Sequence, residues 1–144
     1  MMHATIYQEK PETGCVIHTH SPYATAFAVA HQPIECWSEA FGILGIEDGV
    51  PVASYGPRGS EQALKNIRSV LGAKTKAVLL ANHGVLVWHE QPQMAVMVGA
   101  MVEEAAQAAL LAADLGGPKL IPPELLRASH ERRAAFEHAG QQHA

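Results

Sequence analysis

The sequence predicts an α/β domain in which a central, mainly antiparallel β-sheet is flanked by helices. Short β-branched and aliphatic runs occupy positions 15–20 and 77–88, and segments with helical periodicity lie between and after them. The second run folds back on itself at Asn82-His83-Gly84, which makes its two halves antiparallel neighbours. A chain of 144 residues has the size of one domain, so positions 1–144 are read as a single unit, with 116–144 as a C-terminal helical tail. With 48% hydrophobic and 17% charged residues it can bury roughly 70% of the surface of its unfolded form, which excludes wholesale disorder.

Each element follows from local chemistry. Pro11-Glu12-Thr13-Gly14 is turn-like, and Cys15-Val16-Ile17-His18-Thr19-His20 after it reads as a buried strand. Ser21 is placed to cap a helix that starts at Pro22 and runs through Tyr23 to His31, stopped by Pro33. Residues 34–44 fit helix and strand periods equally badly, and a helical turn at 37–41 is expected. Residues 49–56 read as an extended segment at a sheet edge, because Pro51 has no N–H for a central ladder. Ser60 caps a helix over 61–71 that puts Ala63, Leu64, Ile67, Val70 and Leu71 on one face and stops at Gly72. Pro92 opens the longest helix, to about Leu115, apolar on more than one side and so expected to meet the domain on one and another subunit on the other. Pro122-Pro123 opens a last helix, from Glu124 to about His138.

Composition removes several functions. Ten Lys+Arg against 14 Asp+Glu give a net charge of -4 with the basic residues scattered, which is not the footprint of a nucleic-acid binder. The two cysteines, Cys15 and Cys36, are too few for a disulfide scaffold and point to a reducing cytoplasm. Residues 1–14 lack the apolar core of an export signal, and the apolar run from Met94 is broken by Glu103 and Glu104, so no membrane span is expected.

The unusual feature is nine histidines. Side chains alternate along a strand, so His18 and His20 project from the same face, an arrangement that suits a divalent metal such as zinc. His83 adds a third imidazole, in a turn where Gly84 allows close approach to a ligand. The others read as ordinary: His3 and His143 lie near the ends, His31 ends a helix, His130 and His138 ride an exposed helix, and His89 faces solvent at a strand end. Glu9, Glu12, Glu39, Glu90 and Glu103 read as solvated carboxylates, and Tyr23 and Tyr55 as packing residues with one polar tip. Arg58, in Gly56-Pro57-Arg58-Gly59-Ser60, stands before a helix N-terminus where an anion could sit.

The stretch from Cys15 through His18-Thr19-His20 to Ser21-Pro22-Tyr23-Ala24-Thr25-Ala26, together with Leu79-Leu80-Ala81-Asn82-His83-Gly84-Val85, resembles the zinc-dependent class II aldolase/adducin family. Tyr7-Gln8-Glu9-Lys10-Pro11 and Tyr55-Gly56 extend the similarity, which runs from about Tyr7 to about Leu115. The family includes fuculose-phosphate and rhamnulose-phosphate aldolases and ribulose-phosphate 4-epimerase. The resemblance implies a sheet-centred α/β fold, one Zn2+ per subunit held by His18, His20 and His83, and a homo-oligomer, commonly a tetramer with sites at its interfaces. It also implies a lyase acting on a small ketose phosphate through a metal-stabilised enediolate.

Matching backwards from Tyr7 places the family's acidic proton-transfer residue at or just before Met1, so no catalytic residue is assigned. The loops that hold the substrate phosphate in the family also have no counterpart, and the domain reads as N-terminally shortened. A general acid or base typically contributes ~10²–10⁴ in rate, so turnover by the chain as written is expected to be impaired. The alternatives are a catalytically silent, adducin-like assembly domain, a 4-epimerase, and a zinc hydrolase using the same three histidines.

Overall fold

A computed structural model describes residues 1–128 and 131. The chain opens with α1 (Met2–Glu9), then β1 (Cys15–Thr19) and α2 (Pro22–Ala30). A five-residue α3 (Glu39–Ile43) leads to β2 (Val52–Ala53) and α4 (Glu61–Val70). The hairpin β3 (Ala77–Leu80) and β4 (Gly84–His89) follows, then α5 (Pro92–Ala112) and a 3-10 turn, Ala113–Leu115. The four strands form one sheet in the order β1-β4-β3-β2. β4 pairs antiparallel with both β1 and β3, while β2 pairs parallel with β3, so the sheet is mixed but mainly antiparallel. As Pro51 requires, β2 lies on an edge.

Alternation along the central strands builds two cores. Ala77, Leu79, Val85 and Val87 face α2 and α5, joined by Phe41, Ile34, Val50, Val98 and Val102 in one sealed cluster. Val78, Leu80, Leu86 and Trp88 face the other way, against Ile6 of α1 and Ile67 of α4. Val16 packs with this second cluster and Ile17 with the first, which puts His18 and His20 on the side of α1 and α4.

Several local expectations change on folding. The helix α1 has no counterpart among the elements read from the sequence; one of its faces carries the buried Thr5 and Ile6, and the Tyr7 hydroxyl accepts a hydrogen bond from the Val16 N–H at 3.2 Å. Ser21 occupies the N-cap of α2, but its hydroxyl pairs with that of Thr19 at 2.6 Å and makes no cap bond. The cap comes from a distant residue. Glu103 of α5, expected in solvent, is half-buried and accepts from the Tyr23 and Ala24 N–H groups at 3.0 and 2.8 Å. A carboxylate there satisfies two orphan donors and meets the positive end of the helix. The turn placed at 37–41 forms two residues later, where the Ser38 hydroxyl caps α3. Ser60 caps α4 as expected, accepting from the Ala63 N–H at 3.1 Å.

Pro92–Leu115 is long and apolar enough to cross a membrane by length and composition, contrary to the reading that its glutamates interrupt it. In the fold it is a core helix: Ala95, Val98, Val102, Ala105, Ala106 and Ala109 are buried, and Glu103 is engaged with α2. Its outer side exposes Val96, Met97, Leu110 and Leu111. Of the last helix, 123–128 are helical within the described residues; the stretch expected to run on to His138 lies outside them.

Candidate metal centre

Topology brings the histidines together. β1 runs antiparallel to β4 with Thr19 opposite Val85, so the end of β1 arrives beside the turn that opens β4. His18 and His20 come from that end and His83 from the turn, and one ligand atom from each lies within 4.8 Å of the others. The ring centroids are 4.7–5.0 Å apart. Among the described residues no carboxylate or thiol joins the cluster.

The donor set fits a tetrahedral divalent ion. The Nδ1 of His18 lies 2.9 Å from the Val85 carbonyl, which can only accept, so Nδ1 carries the proton and Nε2 presents its lone pair. That Nε2 is 3.0 Å from the Nε2 of His20, and two nitrogens held at ~2.0–2.1 Å by one zinc would stand roughly 3.3 Å apart. Burial, followed by the neighbouring His83, His20 and His3, holds the His18 pKa below its ordinary value, against the opposing hydrogen bond that its ring donates to the Val85 carbonyl. Burial does the same for His83, helped by His20 and the Arg58 guanidinium. Both shifts favour the neutral imidazole, the form that binds a metal.

The backbone around the turn is built for close approach. A Cβ on Gly84 would come within 2.5 Å of the Thr19 carbonyl oxygen and 2.8 Å of His20 Cδ2. Asn82 adopts a left-handed φ of 58°, as does His31 at 53°. These two uncommon conformations are tied together: His31 Nε2 lies 2.7 Å from Asn82 Oδ1, and the Asn82 N–H donates to Ala28 O at 3.1 Å. The C-terminus of α2 thereby clamps the turn that presents His83.

A cavity of about 520 Å³ opens beside the cluster, between α1, α4 and the end of β3. His3, Ser54, Tyr55, Arg58, Asn82 and His83 contribute polar side chains to its lining, and Met2, Leu64, Ile67 and Leu80 are part of its apolar wall.

His18, His20 and His83 are thus the three residues the sequence reading singled out, and the fold brings them together. His89 stays outside the cluster, its Nδ1 accepting from the Gln91 N–H at 3.1 Å. Glu9 pairs with Arg68 at 2.9 Å, and Glu12, Glu39 and Glu90 are exposed. Tyr23 packs on the core as expected; Tyr55 does not, being 62% exposed on the cavity rim. Cys15 and Cys36 are free thiols. His130, His138 and His143 lie outside the described residues. Two histidines read as ordinary have neighbours at the site: His31 through Asn82, and His3, whose ring stands edge-on to His18 with centroids 6.3 Å apart. No spacing in the sequence marks His3, because its place beside His18 follows from the packing of 2–9 as a helix over the sheet.

The profile of the Class II Aldolase and Adducin N-terminal domain matches residues 1–110. The chain is 26% identical over 122 residues to the 5-methylthioribulose-1-phosphate/5-deoxyribulose-1-phosphate aldolase of Rhodospirillum rubrum, covering 85% of this chain and 54% of that protein. It is 30% identical over 141 residues to the 5-deoxy-D-ribulose 1-phosphate aldolase of Bacillus thuringiensis serovar kurstaki, covering 98% and 63%. A solved L-fuculose 1-phosphate aldolase superposes with a TM-score of 0.81 at 30% identity, over 92% of this chain and 61% of that one. The chain therefore spans little more than half to under two-thirds of the length of these relatives. With a profile match over three-quarters of its residues and the fold of a solved aldolase, the chain belongs to the class II aldolase and adducin family.

Proposed function

We propose that this chain is the metal-binding part of a zinc-dependent sugar-phosphate aldolase, with His18, His20 and His83 as the ligands. The observation that carries the reading is the convergence of these three imidazoles, one already fixed in its metal-binding tautomer by Val85. The relatives named above, aldolases of ketose phosphates, support the substrate class. Zinc bound there would supply Lewis-acid stabilisation of the negative charge that develops on the oxygens of a ketose when the adjacent carbon–carbon bond breaks. The chain's own residues do the rest. His18, locked by its backbone hydrogen bond, and His83, held by the clamped turn, would hold the ion with little reorganisation of their rings. The cavity beside them receives the substrate, with Arg58 at its mouth as the available positive charge for a phosphate. The exposed apolar side of α5 is the surface on which copies would associate as a homo-oligomer.

A second reading is a metal-holding assembly domain without turnover, which the lack of a carboxylate in the cluster, among the described residues, favours. One experiment separates them. Purified protein should contain or take up one Zn2+ per chain by elemental analysis, His20→Ala should lose it, and the zinc form should cleave 5-deoxyribulose 1-phosphate or fuculose 1-phosphate. Zinc without cleavage selects the assembly reading; a parent chain that takes up no zinc overturns both.

A further inference from the structure

We propose that His3 is a fourth working imidazole of this centre, one that contacts the substrate at the open side of the triad and does not ligate the metal. The inference rests on the metal reading of His18, His20 and His83. Four observations carry it. First, α1 covers the sheet face from which His18 and His20 project, because Ile6 and Met2 pack into the cluster that holds Val16, Leu86 and Trp88. His3 lies on that helix, so the packing of α1 sets its position. Second, its ring stands nearly perpendicular to that of His18, at 86°, with centroids 6.3 Å apart. Within the triad the corresponding separations are 4.7–5.0 Å. His3 is thus beside the cluster but set back from it, and its nitrogens are not among the ligand atoms gathered within 4.8 Å.

Third, His3 and His83 line the same cavity, so His3 faces the space a substrate would enter. Fourth, His3 is half-buried, yet among the described residues neither of its ring nitrogens has a hydrogen-bond partner. His18, His31 and His89 each use a ring nitrogen on a protein group. A half-buried imidazole with both nitrogens uncommitted, opening on a cavity, is placed to hydrogen-bond an incoming hydroxyl or carbonyl oxygen. The ligand class is a small oxygen donor such as a vicinal hydroxy-ketone.

The test uses Co2+ as a spectroscopic substitute for the metal and acetohydroxamate as a small bidentate oxygen probe, read from the visible absorption of the cobalt protein. Parent, His3→Ala, His3→Gln and His20→Ala are compared, with circular dichroism melts to verify folding. His3→Ala is expected to bind Co2+ within about threefold of the parent and acetohydroxamate about tenfold more weakly, with His3→Gln intermediate because its amide restores a donor. If His3→Ala loses Co2+ as His20→Ala does, His3 is a ligand and the proposal is overturned. If it binds acetohydroxamate like the parent, His3 does not touch the probe, and the proposal is again overturned. A parent protein that takes up no Co2+ overturns the triad reading itself, and the role of His3 falls with it. Should His3→Ala not fold, His3→Gln carries the test alone, and unchanged probe and metal binding in it overturns the proposal.

Discussion

The two faces of one sheet do different work. Toward α2 and α5, alternate residues of β3 and β4 enter a sealed apolar cluster containing Phe41, Ile34, Val98 and Val102. Toward α1 and α4, the other residues of the same strands enter a smaller cluster that stops at a cavity with imidazoles on its rim. The difference lies in what covers each face. The 21-residue α5 spans its side of the sheet, whereas eight-residue α1 and ten-residue α4 leave a gap between them at the end of β3. Stability is thereby concentrated on one face, and the other is free to hold polar groups at an opening.

Substitutions can break this comparison. The largest effect is expected from Leu79→Ala on the sealed face, at about 2–5 kcal/mol, since a fully buried leucine leaves a cavity there. Leu64→Ala, half-buried on the cavity wall, should cost about 1 kcal/mol in the same urea titration. Equal costs would mean that the two faces share the load. Next is Gly84→Ala, whose new methyl would collide with the Thr19 carbonyl and the His20 ring. It should cost about 1–3 kcal/mol and, by displacing His20 from His83, weaken zinc binding at least tenfold in isothermal titration.

Glu103→Ala tests the tie between α5 and α2. Removing a carboxylate that caps two N–H groups should lower stability by about 0.5–2 kcal/mol in the same urea titration. The smallest effect concerns pH. Burial lowers the pKa of His18 and His83 below the ordinary 6.5, so the unfolded chain takes up protons first as the solution is acidified. Their contribution is fully present above about 6.5 and is lost as pH falls through that value toward the folded pKa values. The Arg58 guanidinium faces His83, so a proton on that ring adds repulsion. Melting temperatures of the metal-free protein should therefore fall between pH 7 and 5, and His18→Gln should flatten that slope.

Much of this architecture was legible in the chain. The run 77–88 with its central Asn-His-Gly reads as turning back on itself, and the H-x-H spacing of His18 and His20 places both rings on one face once that segment is extended. Ser60, Pro51 and Pro92 announced the elements they start or limit. These signals are local, arising from φ/ψ preferences, missing donors and strand alternation. The helix α1 escaped because its apolar residues are few, and what holds it is packing against β1 and α4.

The sequence by itself determined the strands, the hairpin and the pair of imidazoles on β1, because neighbouring residues impose them. Only the tertiary structure decided that His83 meets that pair, that Glu103 caps a helix 80 residues earlier, and that His3 stands beside His18. Those contacts depend on strand order, register and the seating of one helix over a sheet. They are fixed by burying two apolar faces at once, and no stretch of chain contains that information on its own.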